Sequence, residues 1–177
     1  MKREEFEGAP TPKGKPVTMT AFQDSSLYHC KLTGRAVTGI IHMINKTPFE
    51  WYTKRQNTVE TATYSAEFVS AKQCVEQIIG MRYEVAMMGI PIDGPTWMFG
   101  DNEGVIKSST HPDATIKRRN IAMAFHYVRE AIASKVIYFI HMPGELNPAD
   151  ALTKFLSGTK WWSLLKPLLH WLPKKDD

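Results

Sequence analysis

The chain has 177 residues, 43% of them hydrophobic and 23% charged, the balance of one globular domain with at most a short appendage. Lysine and arginine number 22 against 18 acidic residues, a net charge of +4, which permits a nucleic-acid partner without requiring one. Two cysteines, Cys30 and Cys74, exclude a disulfide scaffold and a cysteine metal site, and neither a signal-peptide core nor a run of about 18 apolar residues occurs; an intracellular protein, cytoplasmic or nuclear and without a membrane segment, is expected.

Residues 1–16 end in a stretch rich in Pro and Gly and read as a leader or linker. A first strand is expected from Val17 through Phe22 into Asp24, a second over Val37–Ile44, a turn at Asn45-Lys46-Thr47-Pro48 and a third strand at Phe49–Tyr52. Three strands joined by short turns imply an antiparallel meander. From about Thr58 to Arg82 the apolar positions Phe68, Ala71, Val75, Ile78 and Ile79 recur at helical spacing, and Gly89–Pro95 breaks that pattern. Thr96–Phe99 reads as a buried strand ending at Gly100-Asp101, followed by a short helix from Asn102 and a longer one over Ile116–Ser134. Val136–Ile140 is β-branched and aromatic throughout, the clearest strand in the chain. Asn147-Pro148 then predicts a helix start, with Asn as cap and Pro first in the helix. The order βββ-α-β-α-α-β-α predicts a mixed sheet with helices on its faces.

Within this order the acidic residues fall at element ends. Asp24 closes the first strand, Asp101 closes the fourth, Glu67 lies early in the long helix and Asp150 in the first turn of the last. Carboxylates brought from distant segments to one place repel one another unless cations neutralise them, and Mg²⁺ is a hard cation that takes oxygen ligands. Solvated surface charge, a cap at Asp101-Asn102 and the helix dipole at Asp150 are the alternatives that pattern alone leaves open.

Asn147-Pro-Ala-Asp-Ala-Leu-Thr-Lys154 closely resembles the Ala-Asp-x-Leu-Thr-Lys signature closing the ribonuclease H domain of copia-type retrotransposon polyproteins. Trp51-Tyr-Thr-Lys-Arg-Gln-Asn-Thr58 resembles that family's Trp-x-Ser-Lys-Lys-Gln-x-Thr block, and Ala62-Thr-Tyr-Ser-Ala-Glu-Phe-Val69 its Ser-Thr-Ala-Glu-Ala-Glu-Tyr block. Gly100-Asp101-Asn102 is similar to Cys-Asp-Asn, and His126-Tyr-Val-Arg-Glu130 to His-Phe-Ile-Arg-Glu. The blocks occur in the family's order over about Thr18–Lys154. The match is looser at Asp24: the family shows Ser-Asp-Ala-Asp-Trp-Ala-Gly where this chain has Gln23-Asp-Ser-Ser-Leu-Tyr-His29, so Ser26 stands in place of the second Asp.

The resemblance implies an α/β ribonuclease H-like fold: a five-stranded mixed β-sheet with helices on both faces over residues 17–156. It implies that Asp24, Glu67, Asp101 and Asp150 hold two Mg²⁺ ions, with Mn²⁺ as a substitute, for hydrolysis of the RNA strand of an RNA–DNA hybrid. His141, nine residues before Asp150, is then either an assistant in leaving-group protonation or product release, or a solvated strand-end histidine. Lys54, Arg55, Gln56 and Asn102 would meet the hybrid; His126 would touch it or pack on its own helix. Lys117-Arg118-Arg119 is either a phosphate contact or a solvated helix end.

Residues 157–177 carry three of the five Trp, and Trp161, Leu164, Leu165, Leu168 and Trp171 share one helical face interrupted by Pro167. A helix docked on the domain is expected, with a neighbouring polymerase domain or self-association as the alternative. No polymerase domain fits in this length and no Tyr-x-Asp-Asp motif occurs. A piece of a polyprotein, partnered by its reverse transcriptase domain, or a stand-alone gene derived from one is expected. The rival to the enzyme, motivated by the altered residues beside Asp24, is a catalytically degenerate module that binds nucleic acid or protein.

Overall fold

The computed structural model describes residues 7–27, 32–116 and 118–169; Tyr28, His29, Cys30, Lys117 and Trp171, all invoked above, lie outside them. Strands β1 (Met19–Ser26), β2 (Val37–Ile44) and β3 (Thr47–Arg55) form the expected meander. Helix α1 (Thr63–Met87) crosses to β4 (Thr96–Gly100); α2 (Glu103–Thr110) and α3 (Ala122–Ala133) lead to β5 (Ile137–His141), and α4 (Asp150–Thr153) and α5 (Gly158–Leu165) follow. The sheet order is β3-β2-β1-β4-β5, with β1–β2 and β2–β3 antiparallel and β1–β4 and β4–β5 parallel.

Alternation along the strands divides the core in two. Ala21, Ile40, Met98, Ile137 and Phe139 face α1 and α3, where Phe68, Val75, Ile78, Phe125 and Val128 close the main core. Cys74 is fully buried there and burial pushes its thiol well up, so it is a packing residue. Phe22, Ile41 and Met43 face the other way, against Ala149, Leu152 and Leu168. Helices cover both faces, as the resemblance implied.

Several boundaries differ from the sequence reading. Pro48 pairs with Met43 inside β3, because an edge strand needs no donor on its open side. Helix α1 starts later and runs past Arg82 to Met87. Its end is a Schellman closure: Ile90 N–H donates to the Val85 carbonyl and Gly89 N–H to that of Ala86, with Gly89 at φ +75° where a side chain would be strained. Helix α3 is shorter than expected, preceded by a 3₁₀ turn at Arg119–Ile121. The last helix of the domain has only four residues and begins at Asp150. Asn147 still organises its start, since its Oδ1 accepts from Ala149 N–H at 3.1 Å and its Nδ2 donates to the Gln23 carbonyl at 2.9 Å.

The leader is not a free linker over its described part. Lys13 N–H donates to the Gly89 carbonyl, and Val17 exchanges backbone bonds with Pro91 and Asp93. In the C-terminal region, Ser157 caps α5, Leu164 is buried and Leu168 reaches the second core, while Trp161 and Trp162 stay 42% and 37% exposed. No helix among the described residues is long and apolar enough to cross a membrane.

Candidate active site

The carboxyl ends of the parallel pair β1 and β4 open side by side, where an α/β sheet offers a crevice outside its strand ends. Pairing of β1 with β4 stops at Phe22–Phe99, and Asp24 and Asp101 each lie two residues further on. Glu67 reaches the same point from the second turn of α1, where Ser25 N–H donates to its Oε1 at 3.2 Å and Ser70 Oγ donates to the Asp24 carbonyl at 3.0 Å. One ligand oxygen from each of Asp24, Glu67 and Asp101 can be chosen so that all lie within 4.8 Å of one another. These three residues line a cleft of about 370 Å³ with Thr63, Asn102 and Lys154.

Asp150 stands beside this trio and is joined to it by a cation. Lys154 Nζ lies 2.7 Å from Asp150 Oδ1, 3.3 Å from Asp24 Oδ1 and 3.9 Å from Asp101 Oδ2. Thr153 Oγ1 donates to Asp24 Oδ2. Helix α4 can bring these groups so near because β2 carries Gly39, the residue paired with Asp24. A Cβ there would meet Thr153 Cγ2 at 2.6 Å and the Ala149 carbonyl at 3.0 Å.

The electrostatics are those of acids crowded without enough positive charge. Burial pushes the Asp24 carboxyl up to about 6 against the pull of Lys154 and Thr153. Burial, then Asp24 and Asp101, hold Glu67 well above the ordinary carboxylate range, and burial raises Asp101. Burial alone would lower the Lys154 ammonium, but Asp24, Asp150 and Asp101 together outweigh it and hold it above the usual lysine value. Glu67 Oε2 is buried with no hydrogen-bond partner. An orphaned carboxylate oxygen facing two other acids is a costly arrangement, and a hard divalent cation is the species that relieves it. The donor set, oxygens only, fits Mg²⁺ or Mn²⁺.

The remaining expected residues divide. His141 ends β5, and its Nε2–H donates to the Asp101 carbonyl at 3.1 Å. Asn102 lines the cleft and also caps α2, its Oδ1 accepting from Val105 N–H. Lys54 and Arg55 are exposed at the end of β3, one and two positions past the row Asp24–Gly39–Thr53. Gln56 departs from expectation. It is 5% exposed and its Nε2 donates to Thr38 Oγ1 and the Ala66 carbonyl, so it braces the entry to α1 instead of meeting a ligand. His126 is exposed on α3, edge-on to Phe125, and does not line the cleft. Arg118 donates to Thr61 Oγ1. Sequence reasoning assigned no role to Lys154, Thr153 or Gly39. Lysine four residues after Asp150 was the available signal, since i and i+4 meet on one helical face.

No family model matches the chain. It is 24% identical over 147 residues to the retrovirus-related Pol polyprotein from transposon RE1 of Arabidopsis thaliana, covering 83% of this chain and 10% of that protein. It is 21% identical over 127 residues to that from transposon TNT 1-94 of Nicotiana tabacum, again 10% of that protein. The chain thus spans about a tenth of the length of the curated relatives it matches. Among solved structures, LC11-RNase H1 in complex with RNA/DNA hybrid superposes with a TM-score of 0.58 at 16% identity, over 77% of this chain and 94% of that one. The foamy viral protease-reverse transcriptase in complex with RNA/DNA hybrid gives 0.57 at 14% identity, over 84% of this chain and 21% of that one. The chain thus has a ribonuclease H-like fold and is similar in sequence to a segment of the retrovirus-related Pol polyproteins of plant transposons.

Proposed function

We propose that this protein is a metal-dependent nuclease that hydrolyses the RNA strand of RNA–DNA hybrids during reverse transcription. The observation that carries the reading is the convergence of Asp24, Glu67 and Asp101 from β1, α1 and β4 at the strand ends, with an unpartnered buried oxygen on Glu67. Buried structural acids are normally paired at both oxygens or solvated, whereas Glu67 keeps one buried oxygen without a partner and the single ammonium of Lys154 is shared by Asp24 and Asp101. Asp24, Glu67, Asp101 and Asp150 would hold two Mg²⁺ ions, with Mn²⁺ as a substitute. When bound, such ions supply positive charge to the scissile phosphate and acidify water.

The chain's own residues do the rest. Because a carbonyl only accepts, the bond to Asp101 places a proton on His141 Nε2 and leaves Nδ1 as the ring atom that exchanges a proton with a leaving oxygen. Asn102, which lines the cleft, would read a sugar edge, and Lys54 and Arg55, two strands from Asp24 or about 10 Å away, would meet a neighbouring phosphate. The hybrid complexes of its fold neighbours support that substrate class, and the Pol relatives support a reverse transcriptase domain as companion.

A labelled RNA–DNA hybrid incubated with Mg²⁺ tests this. Wild type should cut the RNA strand, and Asp101→Asn should be slower by roughly 100-fold or more. Absent or equal cleavage in both sinks the enzyme reading in favour of the degenerate binding module, and preferred cutting of plain duplex DNA changes the substrate.

A further inference from the structure

The four carboxylates offer two cation positions that differ in occupancy. Between Asp24, Glu67 and Asp101 the oxygens converge and Glu67 Oε2 is unpartnered. On the other side, between Asp24 and Asp150, the Lys154 ammonium already takes one oxygen of each acid, at 3.3 Å and 2.7 Å, and stands 3.9 Å from Asp101. We infer that Lys154 is a built-in counter-cation that competes with the second divalent ion: the first enters without disturbing it, and the second binds only when Nζ gives up the Asp24 and Asp150 oxygens. This rests on the two-ion reading above.

The physical case is one of shared ligand atoms. An ammonium and a divalent ion cannot both take Asp150 Oδ1 and Asp24 Oδ1 at bonding distance. Lys154 caps the C-terminus of α4 four residues after Asp150, so the pair forms across one short turn of chain and needs no partner from elsewhere. Its side chain is 35% exposed and its residue lines the cleft, so its end has an open way out. Without metal, the ammonium offsets mutual repulsion of three acids. With metal, that service is redundant, and the work of displacing it weakens the second site's apparent affinity.

Titration of the full chain with Mn²⁺, followed by calorimetry and by the electron paramagnetic resonance of free Mn²⁺, tests the inference. Lys154→Met keeps the side chain's length and removes its charge; Lys154→Arg keeps the charge. Wild type should bind one Mn²⁺ tightly and a second more weakly. Lys154→Met should bind the second at least tenfold more tightly and should melt lower than wild type without metal, while Lys154→Arg should retain two unequal sites. An unchanged or weakened second site in Lys154→Met, in protein that still cuts hybrid, overturns the competition and leaves the nuclease reading standing. Failure of wild type to bind Mn²⁺ at all overturns both.

Discussion

Asp24 is a carboxylate buried among other acids in the cleft. It is 1% exposed, it neighbours three other acids, and burial pushes its carboxyl up from 3.8 to about 6. A folded value above the unfolded one means that the fold favours the protonated form. Relative to an uncharged side chain, that stabilisation is complete below about pH 4 and is lost as pH rises through 6, a change of roughly 2–3 kcal/mol for a shift of this size. Metal-free Asp24→Asn should therefore melt several degrees above metal-free wild type at pH 8 and converge with it near pH 4. Adding Mn²⁺ should reverse the order at pH 8, because only the ionised carboxylate of the wild type gains a ligand. Thermal unfolding with and without Mn²⁺ checks this, and a gap independent of pH would contradict it. The altered residues beside Asp24 leave its position in the cleft intact. Ser26 replaces an acid and the family's Trp is gone, yet Asp24 still points at Asp101, Glu67 and Lys154. Strand pairing with Gly39 and the Ser70 bond fix the backbone there, and neither depends on the drifted side chains.

Among the elements, α4 is the smallest and the most consequential. Four residues cannot hold a helix by their own hydrogen bonds. It is held by the Asn147 bridge to Gln23, by Thr53 Oγ1 donating to the Leu152 carbonyl, and by contact with the bare backbone at Gly39. Gly39→Ala should push α4 off β2, costing about 1–3 kcal/mol and lowering hybrid cleavage at least tenfold, since an ångström at a catalytic group is that expensive. The first Mn²⁺ site, whose ligands Asp24, Glu67 and Asp101 all lie outside α4, should lose less affinity than the second. Cleavage rate, melting temperature and Mn²⁺ titration together check the claim, and wild-type cleavage at reduced stability would show that Asp150 is held by other means. Removing the Asn147 side chain (Asn147→Ala) should cost a similar amount, because it orphans a buried carbonyl and a buried amide.

The whole molecule is mildly basic, and Lys54 and Arg55 stand at the site's end of the sheet on the exposed edge strand β3. Hybrid binding at that edge should weaken as salt rises from about 50 to about 200 mM, and a Lys54→Ala, Arg55→Ala double variant should flatten the slope of log affinity against log salt by roughly 1–2. Fluorescence anisotropy with a labelled hybrid measures both; an unchanged slope would move the phosphate track elsewhere. At this scale the sequence was informative where its signals are local. Strand-favouring residues between turn signals marked β1 and β2, helical spacing marked α1, and β-branched density marked β5, so the element order and a mixed sheet with helices follow from local pattern, while the ribonuclease H-like fold was implied by the resembling blocks. Gln56 and His126 show the limit. Both sit in matched blocks, but only the packing of α1 against β2 decides that Gln56 turns inward to Thr38 and Ala66, and only the rotation of α3 decides that His126 turns outward. By itself the sequence determined which acids were available and which strands and helices would carry them, because those are properties of neighbours in the chain. The tertiary structure alone decided that Lys154 shares oxygens with three of those acids, that Glu67 keeps one oxygen without a partner, and that a missing side chain at Gly39 lets Asp150 approach. Each of these depends on distances between segments 40 to 130 residues apart, and no local pattern encodes such distances.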